Sequence, residues 1–109
     1  CFRERSTGGW PFSNQAHGWP ISDCTAEGLK ASVLLEEWVD EPLAKWRLEE
    51  AVEQILAVQN PDGGWPSYER KRGPDWFELF NPSQVFGDIM VDYSYVECTS
   101  ACIQALKTF

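Results

Sequence analysis

The chain carries a single histidine and no Cys-x-x-Cys pair, and its 9 Lys and Arg residues are outnumbered by 17 Asp and Glu. The resulting net charge of −8 argues against nucleic-acid binding, which needs basic patches to neutralise phosphates. Lys71 and its neighbours Arg70 and Arg72 are the one basic cluster, too small for a polyanion site and expected to form a surface turn. No signal-peptide pattern is visible, and no apolar run is long enough to span a bilayer. With 4 Cys but no second His and no secretory context, disulfides and zinc ligation are weaker readings than free thiols, buried or functional.

A length of 109 residues allows one small domain with a modest core. The chain begins with Cys1 rather than Met, and its last helical pattern runs to Phe109, so both ends read as cuts through a longer chain. On that reading the isolated piece is expected to be inactive and poorly folded. Residues 1–22 are broken by Gly8, Gly9, Pro11, Gly18 and Pro20 and read as loop. Ser22 or Asp23 is then the expected N-cap of a helix to about Trp38, with Ala26, Leu29, Val33, Leu34 and Trp38 as its apolar face. A second helix follows the Asp40-Glu41-Pro42 turn, with Pro42 tolerated in its first turn. It runs to about Gln59 and carries Leu48, Ala51, Val52, Ile55 and Leu56 as a buried stripe, its glutamates facing water. Asn60-Pro61-Asp62-Gly63-Gly64 stops it. A long connection with short helical turns near Trp76–Leu79 and Ser83–Phe86 leads to a last helix from about Tyr93–Val96 that carries Cys98 and Cys102 one turn apart.

The 6 tryptophans are many for this length. Such side chains supply packing area and π-faces that stabilise cations. Two of them mark an internal repeat: Gly8-Gly9-Trp10-Pro11 recurs as Gly63-Gly64-Trp65-Pro66, with two helices between. The second copy is preceded by Gln59, where the first has Glu4. A unit of two helices and a Gly-Trp turn implies stacked helical hairpins, closed into a toroid or left as a solenoid. Trp10 and Trp65 read as structural residues covering adjoining helix ends.

The most distinctive stretch runs from His17 to Glu27, where a Pro-rich loop turns into a helix and an acid, Asp23, sits beside a thiol, Cys24. Its Asp23-Cys24-Thr25-Ala26-Glu27, together with Gly8-Gly9-Trp10-Pro11-Phe12-Ser13, Gln59 to Trp65, Asn81 to Asp88 and Tyr95 to Ser100, resembles the oxidosqualene cyclases. The resemblance covers nearly the whole chain. It implies an all-α fold, residues 1–109 forming part of an α/α-toroid of helical hairpins. It implies an isomerase that cyclises 2,3-oxidosqualene to a sterol or triterpene, without metal or organic cofactor. It also implies attachment to a membrane surface, endoplasmic reticulum or lipid droplet in a eukaryote, through parts of the full protein outside this segment.

Carried over by position, Asp23 resembles the acid that protonates the epoxide, and Cys24 and Cys98 the thiols hydrogen-bonded to it. Glu27 resembles an outer carboxylate that returns a proton through water. Phe12 and Tyr68 fall where the family places cation-stabilising aromatics, and His17 and Ile21 where it tunes the product. His17 with Pro20 and Ile21 resembles the cycloartenol-forming branch. The strained epoxide needs one well-placed acid, whereas related squalene–hopene cyclases protonate an alkene and carry a further Asp where this chain has Cys24. To donate, Asp23 must hold its proton at rest, which an apolar pocket favours. Read without the resemblance, Asp23 is a helix cap, Phe12 and Tyr68 are core, His17 is a loop histidine and Glu27 complements a helix dipole. A non-catalytic α/α-repeat interaction module is the alternative from another class.

Overall fold

The computed structural model describes residues 7–13, 19–68, 73–80, 82 and 92–109. His17, Glu4, the basic cluster at Lys71, the expected turn at Ser83–Phe86 and most of the Asn81 to Asp88 block lie outside them. Three α-helices are present among the described residues: α1 (Ser22–Leu34), α2 (Lys45–Ala57) and α3 (Val96–Thr108). Short 3-10 helices span Glu36–Trp38 and Asp75–Phe80, the second over the expected turn at Trp76–Leu79. No strand forms among these residues; extended backbone meets at two isolated bridges, Pro11 with Pro20 and Trp65 with Tyr95. No described helix is long and apolar enough to cross a membrane.

α1 lies along α3 and touches α2 more lightly. The core between them holds Ala26 and Leu29 of α1, Leu48, Ala51 and Ile55 of α2, and Cys98, Ala101, Cys102 and Ala105 of α3, closed by Val58 and Trp65. Trp10, Val33, Val52, Tyr95 and Leu106 pack on its margin.

Two expected core faces are narrower than the sequence pattern predicts. Leu34 and Leu56 are exposed. Each follows the last residue of its stripe, Val33 or Ile55, and one further residue turns the helix by about 100°, off the buried side. α1 also ends at Leu34 instead of reaching Trp38. The helix has no basic residue in its last turn, and Glu36 and Glu37 follow at its negative end. That charge pattern opposes continuation, and the chain tightens into a 3-10 turn that leaves Trp38 exposed. α2 starts at Lys45, so Pro42 lies outside it; Ala44 at the cap is extended (φ −60°, ψ 142°).

Neither Ser22 nor Asp23 caps α1. The cap residue is Ile21, in extended conformation with no side-chain cap bond. The helix start is held from elsewhere in the fold: the Ser22 N–H donates to the Ser67 carbonyl at 2.8 Å, and the buried Ser22 hydroxyl donates to the Pro66 carbonyl.

The two Gly-Gly-Trp-Pro turns make matching contacts. Gly8 and Gly63 both sit at positive φ, 88° and 86°, where a side chain is strained. The Trp10 N–H donates to Thr25 Oγ1 at 2.9 Å, and the Trp65 N–H to Thr99 Oγ1 at 3.0 Å. The Trp10 carbonyl accepts from Ile21, the cap residue of α1, and the Trp65 carbonyl from Tyr95, the cap residue of α3, each at 3.0 Å. Each turn is thereby tied to the start of the helix that follows it in space. The Trp10 ring covers Gly28, where an added Cβ would lie 2.6 Å from Trp10 Cδ2.

The buried Trp65 instead reaches the C-terminal turn of α2, where its Nε1–H donates to the Ile55 carbonyl at 2.8 Å. That bond completes a carbonyl at the helix end. Trp65→Phe keeps most of the ring and removes the donor, so it should cost about 1–2 kcal/mol. The check is a lower denaturation midpoint at unchanged slope; an unchanged midpoint would mean that water replaces the indole.

Candidate functional site

The start of α1 presents Asp23 and Cys24, both half-buried. Asp23 Oδ1 accepts the backbone N–H of Cys24 at 2.7 Å. The Cys24 thiol also bonds to the Asp23 carboxylate, and its pKa lies above the usual value, first through burial, then through that charge and hydrogen bond, then through Cys98. No Lys or Arg among the described residues pairs with Asp23. The acid stands at the positive end of a helix with a thiol as its side-chain partner.

Cys98 occupies the equivalent place on α3, the third helical residue, and is buried. Its Sγ lies 3.6 Å from Ser67 Oγ. Burial raises its pKa most; the hydroxyls of Ser67 and Ser22 pull it down, while Asp23 and Asp92 push it up. Cys98 is thus within the electrostatic reach of Asp23, and its described hydrogen-bond partners are serine hydroxyls. One turn further, Cys102 Sγ lies 3.8 Å from the Ser22 carbonyl, and burial pushes its thiol up to about 12. All three described cysteines are free. Among the described residues no group of three or more His, Cys, Asp and Glu could hold a metal ion.

Glu27 lies one turn after Asp23 on α1. It is exposed and pairs with Lys30 at 2.8 Å, and the same ammonium reaches Gln104 of α3 at 3.3 Å. Ile21 is 5% exposed, buried apart from the main apolar cluster. Phe12 follows the Pro11–Pro20 bridge and is 72% exposed; Tyr68 is 43% exposed and meets Trp19 edge to face, with ring centres 6.1 Å apart. The fold therefore gathers Asp23, Cys24, Cys98 and Ile21 near the start of α1, with Tyr68 one residue beyond Ser67. Glu27 and Phe12 lie on open surface.

Two features of this arrangement are not visible in the sequence pattern: the Ser67 hydroxyl on Cys98, and the bond of Ser22, a cap candidate by pattern, to the distant Pro66 carbonyl. The correspondence of the two helix starts is a third. Asp23-Cys24-Thr25-Ala26 on α1 matches Glu97-Cys98-Thr99-Ser100 on α3, residue for residue from the second helical position. An acid followed by Cys-Thr was the available signal. The different loop lengths hid it, since Trp10 reaches its threonine across 15 residues and Trp65 across 34.

No family model matches the chain. Among curated proteins it is 56% identical over 108 residues to a cycloartenol synthase of Dictyostelium discoideum and 55% identical over 111 residues to a lanosterol synthase of Homo sapiens. A lanosterol synthase of Pneumocystis carinii is 50% identical over 111 residues. These matches take in 98%, 99% and 100% of this chain respectively. The chain spans about 15% of the length of each relative. Over its whole length it is homologous to one stretch of the oxidosqualene cyclases, the class to which cycloartenol and lanosterol synthases belong.

The thiol environments predict an order of reactivity, because the thiolate is the nucleophile. A raised pKa lowers the thiolate fraction at a given pH, and alkylation then speeds up as pH rises towards that pKa. In the native protein Cys24 should react with iodoacetamide before Cys98. Cys102, at about 12 and fully buried, should stay unlabelled up to about pH 9. Peptide mapping after timed labelling checks this, and early modification of Cys102 would contradict it.

Proposed function

We propose that this chain is the acid-bearing segment of an oxidosqualene cyclase, an isomerase that converts 2,3-oxidosqualene to a sterol. The observation that carries the reading is Asp23 at the start of α1, partnered by the Cys24 thiol and by no described cation. Asp23 gives its proton to the epoxide oxygen, and the C–O bond opens to a carbocation. The π-bonds of the chain close on it in turn, and a proton leaves at the end, so the reaction is an isomerisation. Neutral thiols near Asp23 stabilise the carboxylate left behind without adding negative charge. Cys24 in place of a second carboxylate supports an epoxide over an alkene as the group protonated, and so a sterol-type over a hopene-type cyclase.

Phe12 and Tyr68 offer aromatic faces to the travelling cation in this reading. Glu27, one turn beyond the acid and open to water, relays a proton back to it. The larger architecture is a toroid of helical hairpins, supported by the matching contacts of the two Gly-Trp turns. The complete protein docks on a membrane face, at the endoplasmic reticulum or a lipid droplet, to take up its lipid substrate. Relatives named for the two sterol products match at 56% and 55%, so the finer assignment, a cycloartenol-type product, rests on His17, Pro20 and Ile21.

Asp23→Asn in the complete protein should abolish conversion of oxidosqualene, a loss of at least about 1000-fold, while circular dichroism stays that of the wild type. Asn keeps the shape and the acceptor for the Cys24 N–H, so the proton alone is removed. Substantial turnover by the folded variant would refute the acid role, whereas a folded wild-type protein without turnover would favour a non-catalytic repeat module. Ile21→Val and His17→Asn should give mixed sterols at near-normal substrate consumption, because about 1.4 kcal/mol changes a product ratio tenfold. A single unchanged product formed more slowly would assign these residues to substrate folding and remove the support for a cycloartenol-type outcome.

A further inference from the structure

Residues 66–68 form a strap in which almost every polar atom is committed. The Pro66 carbonyl accepts the Ser22 hydroxyl, and the Ser67 carbonyl accepts the Ser22 N–H. The Ser67 hydroxyl meets the Cys98 thiol. The two remaining N–H groups of the strap both point at one carboxylate. The Ser67 N–H donates to Asp92 Oδ1 at 3.1 Å and the Tyr68 N–H to Asp92 Oδ2 at 2.6 Å, across 25 and 24 residues. Hydrogen bonds to an ionised carboxylate are stronger and more directional than neutral ones.

We propose that Asp92 is the positioning residue of this site, a two-pronged clamp that sets the strap and through it the start of α1, the Cys98 thiol and the Tyr68 ring. The assignment rests on the cyclase reading above for what the site does, and on geometry alone for the clamp. Asp92 does not reach Asp23 by any described hydrogen bond; it acts through the strap. If the Ser67 carbonyl turns away, the first N–H of α1 loses its acceptor, and Asp23 and Cys24 shift with that helix end. If the Ser67 hydroxyl turns, Cys98 loses one of its two serine partners. Tyr68 is held at its own backbone N–H, so the point from which its ring projects follows the same carboxylate. The clamp lies near the surface at Tyr68, where water can replace a lost acceptor. Its removal therefore misplaces the strap and leaves the core intact.

Asp92→Ala and Asp92→Asn in the complete protein test this with two readouts. Amide hydrogen exchange at Ser67, Tyr68 and Ser22 should speed up about tenfold in Asp92→Ala, and less in Asp92→Asn, which keeps one acceptor. Conversion of oxidosqualene should show kcat reduced about tenfold with KM nearly unchanged, again with Asn between alanine and wild type. Should Asp92→Ala fail to fold, the Asn variant carries the same comparison. Unchanged exchange at Ser67 and Tyr68 would overturn the clamp, and faster exchange with unchanged kcat would overturn its role in the site. A wild-type protein that leaves oxidosqualene unconverted would overturn the cyclase reading and Asp92's part in it, while the exchange rates still report on the clamp.

Discussion

The first turn of α1 cannot satisfy its own N–H groups, and the fold answers at Ser22, whose N–H donates to the Ser67 carbonyl and whose hydroxyl donates to the Pro66 carbonyl. This joint connects segments more than forty residues apart, with a separation of 44 between Ser22 and Pro66. Ser22 and Thr25 are buried at 2% and 0% exposure, so unpaired polar groups there would be costly. Each is paired: Ser22 with the strap, Thr25 with the Trp10 N–H. The placement of Asp23 and Cys24 follows from those pairings, since both residues lie between the two anchored positions. Cys98 and Cys102 close the same joint from α3, one on the Ser67 hydroxyl and the other on the Ser22 carbonyl.

A second consequence is that the molecule makes one kind of corner twice. In each, a positive-φ glycine turns the chain, a Trp donates to a threonine in the first turn of a helix, and its carbonyl accepts from that helix's cap residue. The tryptophans then diverge. Trp10 spreads its ring on Gly28 of the helix it precedes, whereas Trp65 ends the helix it follows by bonding the Ile55 carbonyl. Because the corners match, the residues just inside α1 and α3 have matching environments. An acid and a thiol stand at the same two helical positions in both, but Asp23 is half-buried and Glu97 is exposed. The same corner thus yields a candidate acid in one place and a solvated carboxylate in the other.

What could be read from the sequence was set by local periodicity and local chemistry. The three helices, the stop at Asn60 to Gly64 and the core positions Ala26, Leu29, Leu48, Ala51, Ile55, Cys98 and Cys102 follow from spacing, and the structure has them. Leu34 and Leu56 follow the pattern without being buried, because a hydrophobic residue beside a stripe looks like a member of it. A Ser-Asp pair before an apolar run has the form of a local cap, whereas the partners that hold the start of α1, Pro66 and Ser67, are far away in sequence. For the same reason Ser67 and Asp92 gave no sign of their role. Their interactions span 24 to 45 residues, and nothing in the residues themselves specifies those partners.

The choice of thiols as neighbours to Asp23 has a physical logic that a salt bridge would defeat. A nearby Lys or Arg would hold the carboxylate ionised and leave no proton to give. A second carboxylate would oppose formation of the anion once the proton is gone. A thiol whose own pKa is raised stays as S–H near neutral pH, so it remains a neutral hydrogen-bond donor. For Cys24 and Cys98 the principal cause of the raised value is burial, and Asp23 itself adds to it. The carboxylate thus helps keep its hydrogen-bond donor, Cys24, and its neighbour Cys98 protonated. The helix end adds a fixed positive potential beside this carboxylate, without a mobile counter-ion. The surroundings of the candidate acid depend on burial and on the geometry of two helix ends, both of which the joint at Ser22 holds in place.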